Sequence, residues 1–223
     1  MVRIGPGYSR PFLCYMVNAG MACLPERWPA SKEAIFSLKG QVRQLYIYWA
    51  DESFPLDLET DWITVTHGPN RGDFSKLAHV PGDFISCDDD LIYPPTYVED
   101  FLNYSGAFPN AILTHHGKEV HGQEPKAVAH CLRANPDTKR VDVPGTGVSF
   151  YPAAIYAALL EGLEYDWNCL DILVGSWMRK NEVKAYALPH KEDYFGYIPP
   201  PEGLTIWDLH HHNWPRLYRI YFP

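Results

Sequence analysis

Long apolar runs are missing from this chain. None of its 223 residues belongs to a stretch near the roughly 18 to 20 consecutive apolar positions of a membrane span, and Met1-Val2-Arg3-Ile4-Gly5-Pro6-Gly7 lacks a signal-peptide apolar core. The expectation is a soluble protein with no membrane span. Positive charge is also scarce. Nineteen Lys and Arg face 27 Asp and Glu, for a net charge of −8, and the basic residues are scattered, which argues against a nucleic-acid-binding surface. An anionic ligand therefore needs local help. The five cysteines (Cys14, Cys23, Cys87, Cys131, Cys169) are odd in number and form no Cys-x-x-Cys, so reduced, buried thiols and a cytoplasmic setting are expected. No linker, repeat or low-complexity segment interrupts the chain. With 46% hydrophobic and 21% charged residues it reads as one packed, enzyme-sized domain over 1–223.

What is present is an alternation of short apolar runs and helical patterns. Phe12 to Val17 is a continuous apolar run that suits a first, central strand, followed by a loop from Asn18 to Pro29. Ser31 can cap a helix through Lys32–Leu38 that ends at Gly40. Strands are expected at Gln44–Tyr48, Trp62–His67 and Gly82–Cys87, with a short helix beginning near Asp73. A helix from Thr96, a plausible cap, to Tyr104 leads to a strand at Ala111–His115. This order predicts an α/β fold with a mostly parallel central sheet flanked by helices. The second half, from about residue 116, is expected to form a smaller region. It has strands broken by a Gly-rich turn over Lys139–Phe150, helices at Pro152–Leu163 and Cys169–Asn181, and a last strand at Val183–Leu188. The Pro-, Tyr- and Trp-rich tail is expected to pack over the sheet.

The chemistry concentrates at Asp88-Asp89-Asp90, directly behind an apolar strand pattern and ahead of Leu91-Ile92-Tyr93-Pro94-Pro95. In an open α/β sheet the ligand crevice lies beyond the carboxyl ends of the strands. Acids there can hold a hard divalent cation and, through it, a diphosphate. Strand alternation puts Asp88 and Asp90 on one side and Asp89 on the other. Three adjacent like charges also repel one another, and a bound cation removes that repulsion. A solvated acidic loop is the plain alternative.

The string Gly72-Asp73-Phe74-Ser75-Lys76, then Ile85 to Pro95 and Tyr97, with Pro25-x-Arg27 upstream, resembles the nucleotide-sugar half of GT-A (Rossmann-like) glycosyltransferases. More narrowly it resembles the N-terminal transferase domain of chlorella-virus capsid-glycosylating enzymes. The resemblance implies a UDP-sugar donor, a glycan or glycoprotein acceptor, work in a host cytoplasm, and further domains in a longer parent protein. It implies Mn²⁺, with Mg²⁺ as the alternative, held by Asp90 and Asp88, with Asp88 also able to meet ribose. A histidine often follows the last strand of such enzymes as a third ligand. Here that is His190, and imidazole suits Mn²⁺ better than Mg²⁺. Lys191 could then contact a phosphate. Arg71, Asp73 and Lys76 lie where the family binds nucleotide, and Arg27 is a weaker candidate there. Asp171, with Asp166 second, is the candidate catalytic carboxylate, as a base in an inverting route or an ion stabiliser in a retaining one, although either can simply cap a helix.

His115 and His116 can face sugar or acceptor or be structural, and no His-x-x-x-His or His-Glu-x-x-His spacing supports zinc. Trp62, Trp167, Trp177, Trp207 and Trp214 can stack on sugars or fill the core. Two other classes compete: a nucleotidyltransferase, which usually carries a Gly-rich basic loop after its first strand, and a non-catalytic carbohydrate-binding module whose carboxylates hold Ca²⁺. The sugar, the acceptor and the stereochemical outcome stay open.

Overall fold

The first strand, β1 (Asn18–Cys23), is built from small residues and begins where a loop was expected. The computed structural model of the chain describes residues 17–51, 58, 60–122, 124–166, 169–199 and 213–222. Of the bulky run expected to form this strand, Phe12 to Met16 lie outside the described residues and Val17 is buried just ahead of β1. The reason for the shift is steric. β1 lies between two parallel neighbours, and a 3-10 turn at Gly72–Lys76 crosses its face at Gly20. A Cβ on Gly20 would overlap the Lys76 carbonyl and stand 2.5 Å from the Phe84 ring. The segment that leaves β1 is thus Leu24-Pro25-Glu26-Arg27, which is not the Gly-rich basic loop of a nucleotidyltransferase.

The chain continues through α1 (Ser31–Ser37), β2 (Gln44–Trp49), β3 (Ile63–His67), β4 (Phe84–Cys87), β5 (Leu91–Ile92), α2 (Tyr97–Ser105) and β6 (Ala111–Thr114). Next come β7 (Gly117–His121), β8 (Glu124–Ala129), β9 (Lys139–Val141), β10 (Val143–Pro144) and β11 (Val148–Tyr151). Last are α3 (Ala153–Gly162), α4 (Leu170–Lys180), β12 (Lys184–Ala187), β13 (Gly196–Tyr197) and α5 (Trp214–Tyr221). Eight strands form the main sheet in the order β3-β2-β1-β4-β11-β6-β12-β9. β3, β2, β1 and β4 run parallel, as do β6 and β12, while β11 and β9 are antiparallel to their neighbours. The fold is therefore mixed α/β with a large, mostly parallel sheet. Smaller sheets, β10-β7-β8 and β13-β5, lie beside it; the β7–β8 hairpin had no sequence-level counterpart.

Strand alternation sends residues to two cores. Ile85, Cys87, Leu113, Val148 and Phe150 pack with α1 and α2, whereas Phe84, Ile112, Tyr151, Ala185 and Ala187 pack with α3 and α4. Both faces of the sheet are covered, which explains why its central strands read as continuous apolar runs. The tail helix α5 packs through Tyr218 and Phe222 against Val143, Ile172 and Leu173, on β10 and α4. The remaining expected elements appear within one or two residues of their predicted bounds, but two caps do not. Ser31 sits inside the first turn of α1 with its hydroxyl unpartnered, and Thr96 donates to Asp100 Oδ2 at 2.9 Å instead of capping a backbone amide. Among the described residues no helix is long and apolar enough to cross a membrane. The four described cysteines are free and buried, as expected of them.

Gly20→Ala should destabilise the protein by at least about 1–3 kcal/mol in denaturant unfolding, the usual range for overpacking a core. An unchanged midpoint would refute the close crossing of the Gly72–Lys76 turn over β1.

Candidate functional site

From β1 the chain moves outward through β2 and β3, then returns across β1 to form β4 on its other side. The carboxyl ends of β1 and β4 therefore flank a topological switch point, where an open α/β sheet leaves a crevice. The Leu24–Arg27 segment leaves β1 there, and Asp88 to Asp90 leave β4 at the same edge. β6 and β12 run in the same direction, so His115 and His190 follow strands that end on this edge too.

The acidic triplet lies in the turn after β4, beyond the reach of strand alternation, and its members meet different partners: Asp89 and Asp90 both face Arg27, and Asp88 faces Lys76. Asp89 turns inward, 4% exposed, and pairs with the Arg27 guanidinium. Burial raises its pKa and Arg27 opposes the rise. Asp88 pairs with Lys76, itself 5% exposed and delivered by the turn that crosses Gly20. Burial works against the Lys76 charge, but Asp88 and Asp73 outweigh it and hold the ammonium above its usual range. Asp90 receives less: Arg27 Nη1 is 3.8 Å from its Oδ2. Burial, then the charges of Asp88 and Asp89, push the Asp90 carboxyl up to about 7. Three carboxyl groups thus face two cations at this strand end.

Two small devices fix Asp88. The buried Tyr93 hydroxyl accepts from the Asp88 amide at 2.6 Å and lies 3.0 Å and 2.9 Å from the carbonyls of Asp88 and Gly147, tying the end of β4 to the start of β11. Gly147 makes room for the carboxylate, because a Cβ there would overlap Asp88 Oδ2. The Asp90 carbonyl accepts from Ile198 at 2.8 Å, just beyond β13.

Beside Asp88 opens a cavity of about 190 Å³, lined among others by Lys76, His116, Lys118, Cys131, Asp171 and Trp214. Asp171, in the first turn of α4, holds the turn before β11. Its Oδ1 accepts from the Thr146 amide at 2.8 Å and the Thr146 hydroxyl at 2.7 Å, and the residue borders the cavity. Lys118 reaches in from β7 with its ammonium 4.2 Å above the Trp214 ring, so α5 covers part of the opening. Asp73 also borders the cavity, but its Oδ2 accepts from the Leu170 amide at 2.9 Å and so serves the N-terminus of α4. Burial raises its carboxyl to about 7 despite Lys76 and the Leu170 amide.

The other expected site residues lie elsewhere. Arg71 and Lys191 are exposed and border no part of this cavity. Asp166 accepts from the Tyr221 hydroxyl at 3.0 Å, a tie to α5, and lies outside the cavity lining. His190 is buried, with Nδ1 3.0 Å from the Leu188 carbonyl and 3.4 Å from His115 Nδ1, and Nε2 3.3 Å from the His130 carbonyl. Both of its nitrogens thus face protein groups. His115 is buried and held neutral, first by burial and then by His190. Trp177 is core, Trp62 packs on Phe36 at its edge, and Trp167, Trp207 and His210 to His212 lie outside the described residues.

Sequence reasoning missed Lys118, His130, Cys131, Tyr93 and the Gly145-Thr146-Gly147 turn as a unit. Only the glycine pair carries a local signal. A Cβ on Gly145 would lie 2.7 Å from His116 Cβ, just as one on Gly147 would meet Asp88. The assembled site can hold a divalent cation through Asp88 and Asp90, and an anion through Lys76 and Lys118. No family model matches the chain, and no curated protein matches it significantly.

Arg27→Ala should cost about 3–5 kcal/mol of stability, because it takes the guanidinium from the buried Asp89 carboxylate. Urea unfolding checks this, and a loss under 1 kcal/mol would mean the pair is solvent-screened. Asp73 supplies a pH signature. Its folded pKa of about 7 exceeds the unfolded value of about 4, so between those values the folded state binds the extra proton. Its contribution to stability is present below about pH 4 and is lost as pH rises through about 7. The thermal midpoint should therefore fall between pH 5 and pH 8, and fall less in Asp73→Asn, which keeps an acceptor for Leu170. Equal falls in both proteins would reject this.

Proposed function

We propose that this protein is a metal-dependent glycosyltransferase of GT-A architecture that moves a sugar from a UDP-sugar to a hydroxyl of a glycan or glycoprotein. The observation that carries the reading is the placement of Asp88 and Asp90 in the turn after β4, at the β1/β4 switch point, with Asp88 lining a cavity beside two lysines.

The donor set fits a hard cation. Asp88 and Asp90, two residues apart in the turn after β4, would offer carboxylate oxygens, the ligand type that a hard divalent ion takes. Mn²⁺ or Mg²⁺ would be held there, and when bound it stabilises the charge that develops on the departing diphosphate. His190 joins as a third ligand only by turning away from the Leu188 and His130 carbonyls, so two carboxylates are the working set.

The other residues supply what the transfer needs from the protein. Lys76 and Lys118 bring positive charge to a chain that has little to spare, Lys76 already aligned on Asp88. Asp171, with Oδ1 fixed by Thr146, borders the cavity as the carboxylate to accept a proton from the acceptor hydroxyl in an inverting route. Trp214 roofs the cavity, and its ring can exclude water and carry a sugar face. Asp73 acts by holding the start of α4, and with it Asp171, rather than by touching nucleotide. Arg71 and Lys191, both exposed, can serve only as rim contacts to the donor.

Titration calorimetry with UDP should give binding that strengthens when Mn²⁺ is added, and Asp90→Ala should weaken the Mn²⁺-dependent binding by at least about 10-fold. Binding indifferent to metal, or untouched by Asp90→Ala, would sink the reading.

A further inference from the structure

Beyond the carboxylates, the cavity wall carries a second donor set of a different chemical kind. His116, His130 and Cys131 are brought together with one ligand atom from each, all within 4.8 Å of one another. The two imidazole rings stand 4.8 Å apart between centroids. Two imidazoles and a thiol are borderline-soft donors, poorly matched to Mg²⁺ and well matched to Zn²⁺. We propose that His116, His130 and Cys131 form a three-ligand site for Zn²⁺ or a similar transition-metal cation, with its fourth position open to the cavity.

The frame around these residues is built, not incidental. His116 follows β6, where the Thr114 hydroxyl lies 3.2 Å from its amide and 2.9 Å from its carbonyl, while the Gly145 amide donates to that same carbonyl at 2.8 Å. Gly145 lacks the Cβ that would press on the ring at 3.0 Å. On the other side, His130 and Cys131 begin a segment stitched to the strand end near His190. Asn135 and His190 exchange backbone hydrogen bonds at 2.8 and 2.7 Å, and Asn135 Nδ2 donates to the Leu188 carbonyl at 2.8 Å. His190 Nε2, 3.3 Å from the His130 carbonyl, braces the ligand segment from behind. His190 is thus better placed to orient a metal ligand than to be one.

Only one contact must give way. The Leu132 amide donates to His130 Nδ1 over 3.2 Å. If His130 ligates through Nδ1 the metal takes that lone pair, and if through Nε2 the proton must sit on Nδ1, so the contact opens in either case. Cys131 must release its proton, which goes to solvent as the sulfur–metal bond forms. Burial holds the free thiol up at about 12, so without metal it stays a thiol at neutral pH. His116 and Cys131 both line the cavity that Asp88, Lys118 and Asp171 line, so the open position faces that space. Three protein ligands with one vacancy is the pattern of a catalytic zinc site, whose bound water ionises near neutral pH.

This site is independent of the diphosphate reading, and the test separates the two. The full chain, stripped of metal with a chelator, is titrated with Co²⁺ and followed by absorption. One equivalent should produce a thiolate-to-cobalt charge-transfer band and four-coordinate visible bands, and Zn²⁺ should displace both. Cys131→Ser should abolish the charge-transfer band, and His130→Gln, at a half-buried position, should weaken Co²⁺ binding by at least about 10-fold. Asp90→Asn should leave the spectrum unchanged. No charge-transfer band in the wild type, a band that survives Cys131→Ser, full affinity in His130→Gln, or a spectrum lost in Asp90→Asn would each overturn the assignment, whatever UDP does.

Discussion

Three consecutive carboxylates end β4, and the fold brings two cations to meet them. Arg27 comes from the turn after β1 and Lys76 from the turn that crosses β1 at Gly20, so both depend on where that central strand lies. Packing and charge are coupled here. If β1 were bulky at Gly20, the Gly72–Lys76 turn would lift and Lys76 would leave Asp88. Charge crowding at the strand end would then have Arg27 alone of these two cations to meet it. Asp90 receives least from these cations, and burial, then the charges of Asp88 and Asp89, push its carboxyl up to about 7.

The same edge places oxygen, nitrogen and sulfur side chains on one cavity. Asp88 lines it from the β4 side, His116 and Cys131 from the side of β6 and the segment after β8, and Lys118 and Asp171 add charged groups. Were both proposed cation sites filled, such an arrangement would sort cations by ligand chemistry rather than by affinity alone. His190, expected from the resemblance as a metal ligand, and His115, expected to face sugar or acceptor or to be structural, lie buried behind this wall as mutually contacting rings.

Much of the layer structure was legible in the sequence because β4, β6 and the helices carry strong apolar patterns, but alternation did not sort the acidic triplet, which lies in a turn where Asp89 and Asp90 share Arg27. The misplacement of β1 has a clear cause: a strand under a crossing turn must be made of small residues, and an apolar-run criterion favours its bulky neighbour. Asp73 read as a ligand contact but caps α4 from 97 residues away, a partnership no local pattern encodes. The His116, His130 and Cys131 grouping escaped for the same reason. Metal motifs are recognisable when one helix or hairpin supplies two ligands at fixed spacing; here His116 is separated from the other two by a whole hairpin. Ser31 and Thr96 show the converse failure, a strong local capping preference overridden by burial or by a nearby acid.

The Gly145-Thr146-Gly147 turn acts like a keystone with two faces. One glycine yields its space to the imidazole of His116, the next but one to the carboxylate of Asp88, and the threonine between them is clamped by Asp171. A methyl group added on either side would therefore press on a different side chain. Substitution at 145 would displace His116 and substitution at 147 would displace Asp88, while a change at 146 would free the turn that carries both glycines.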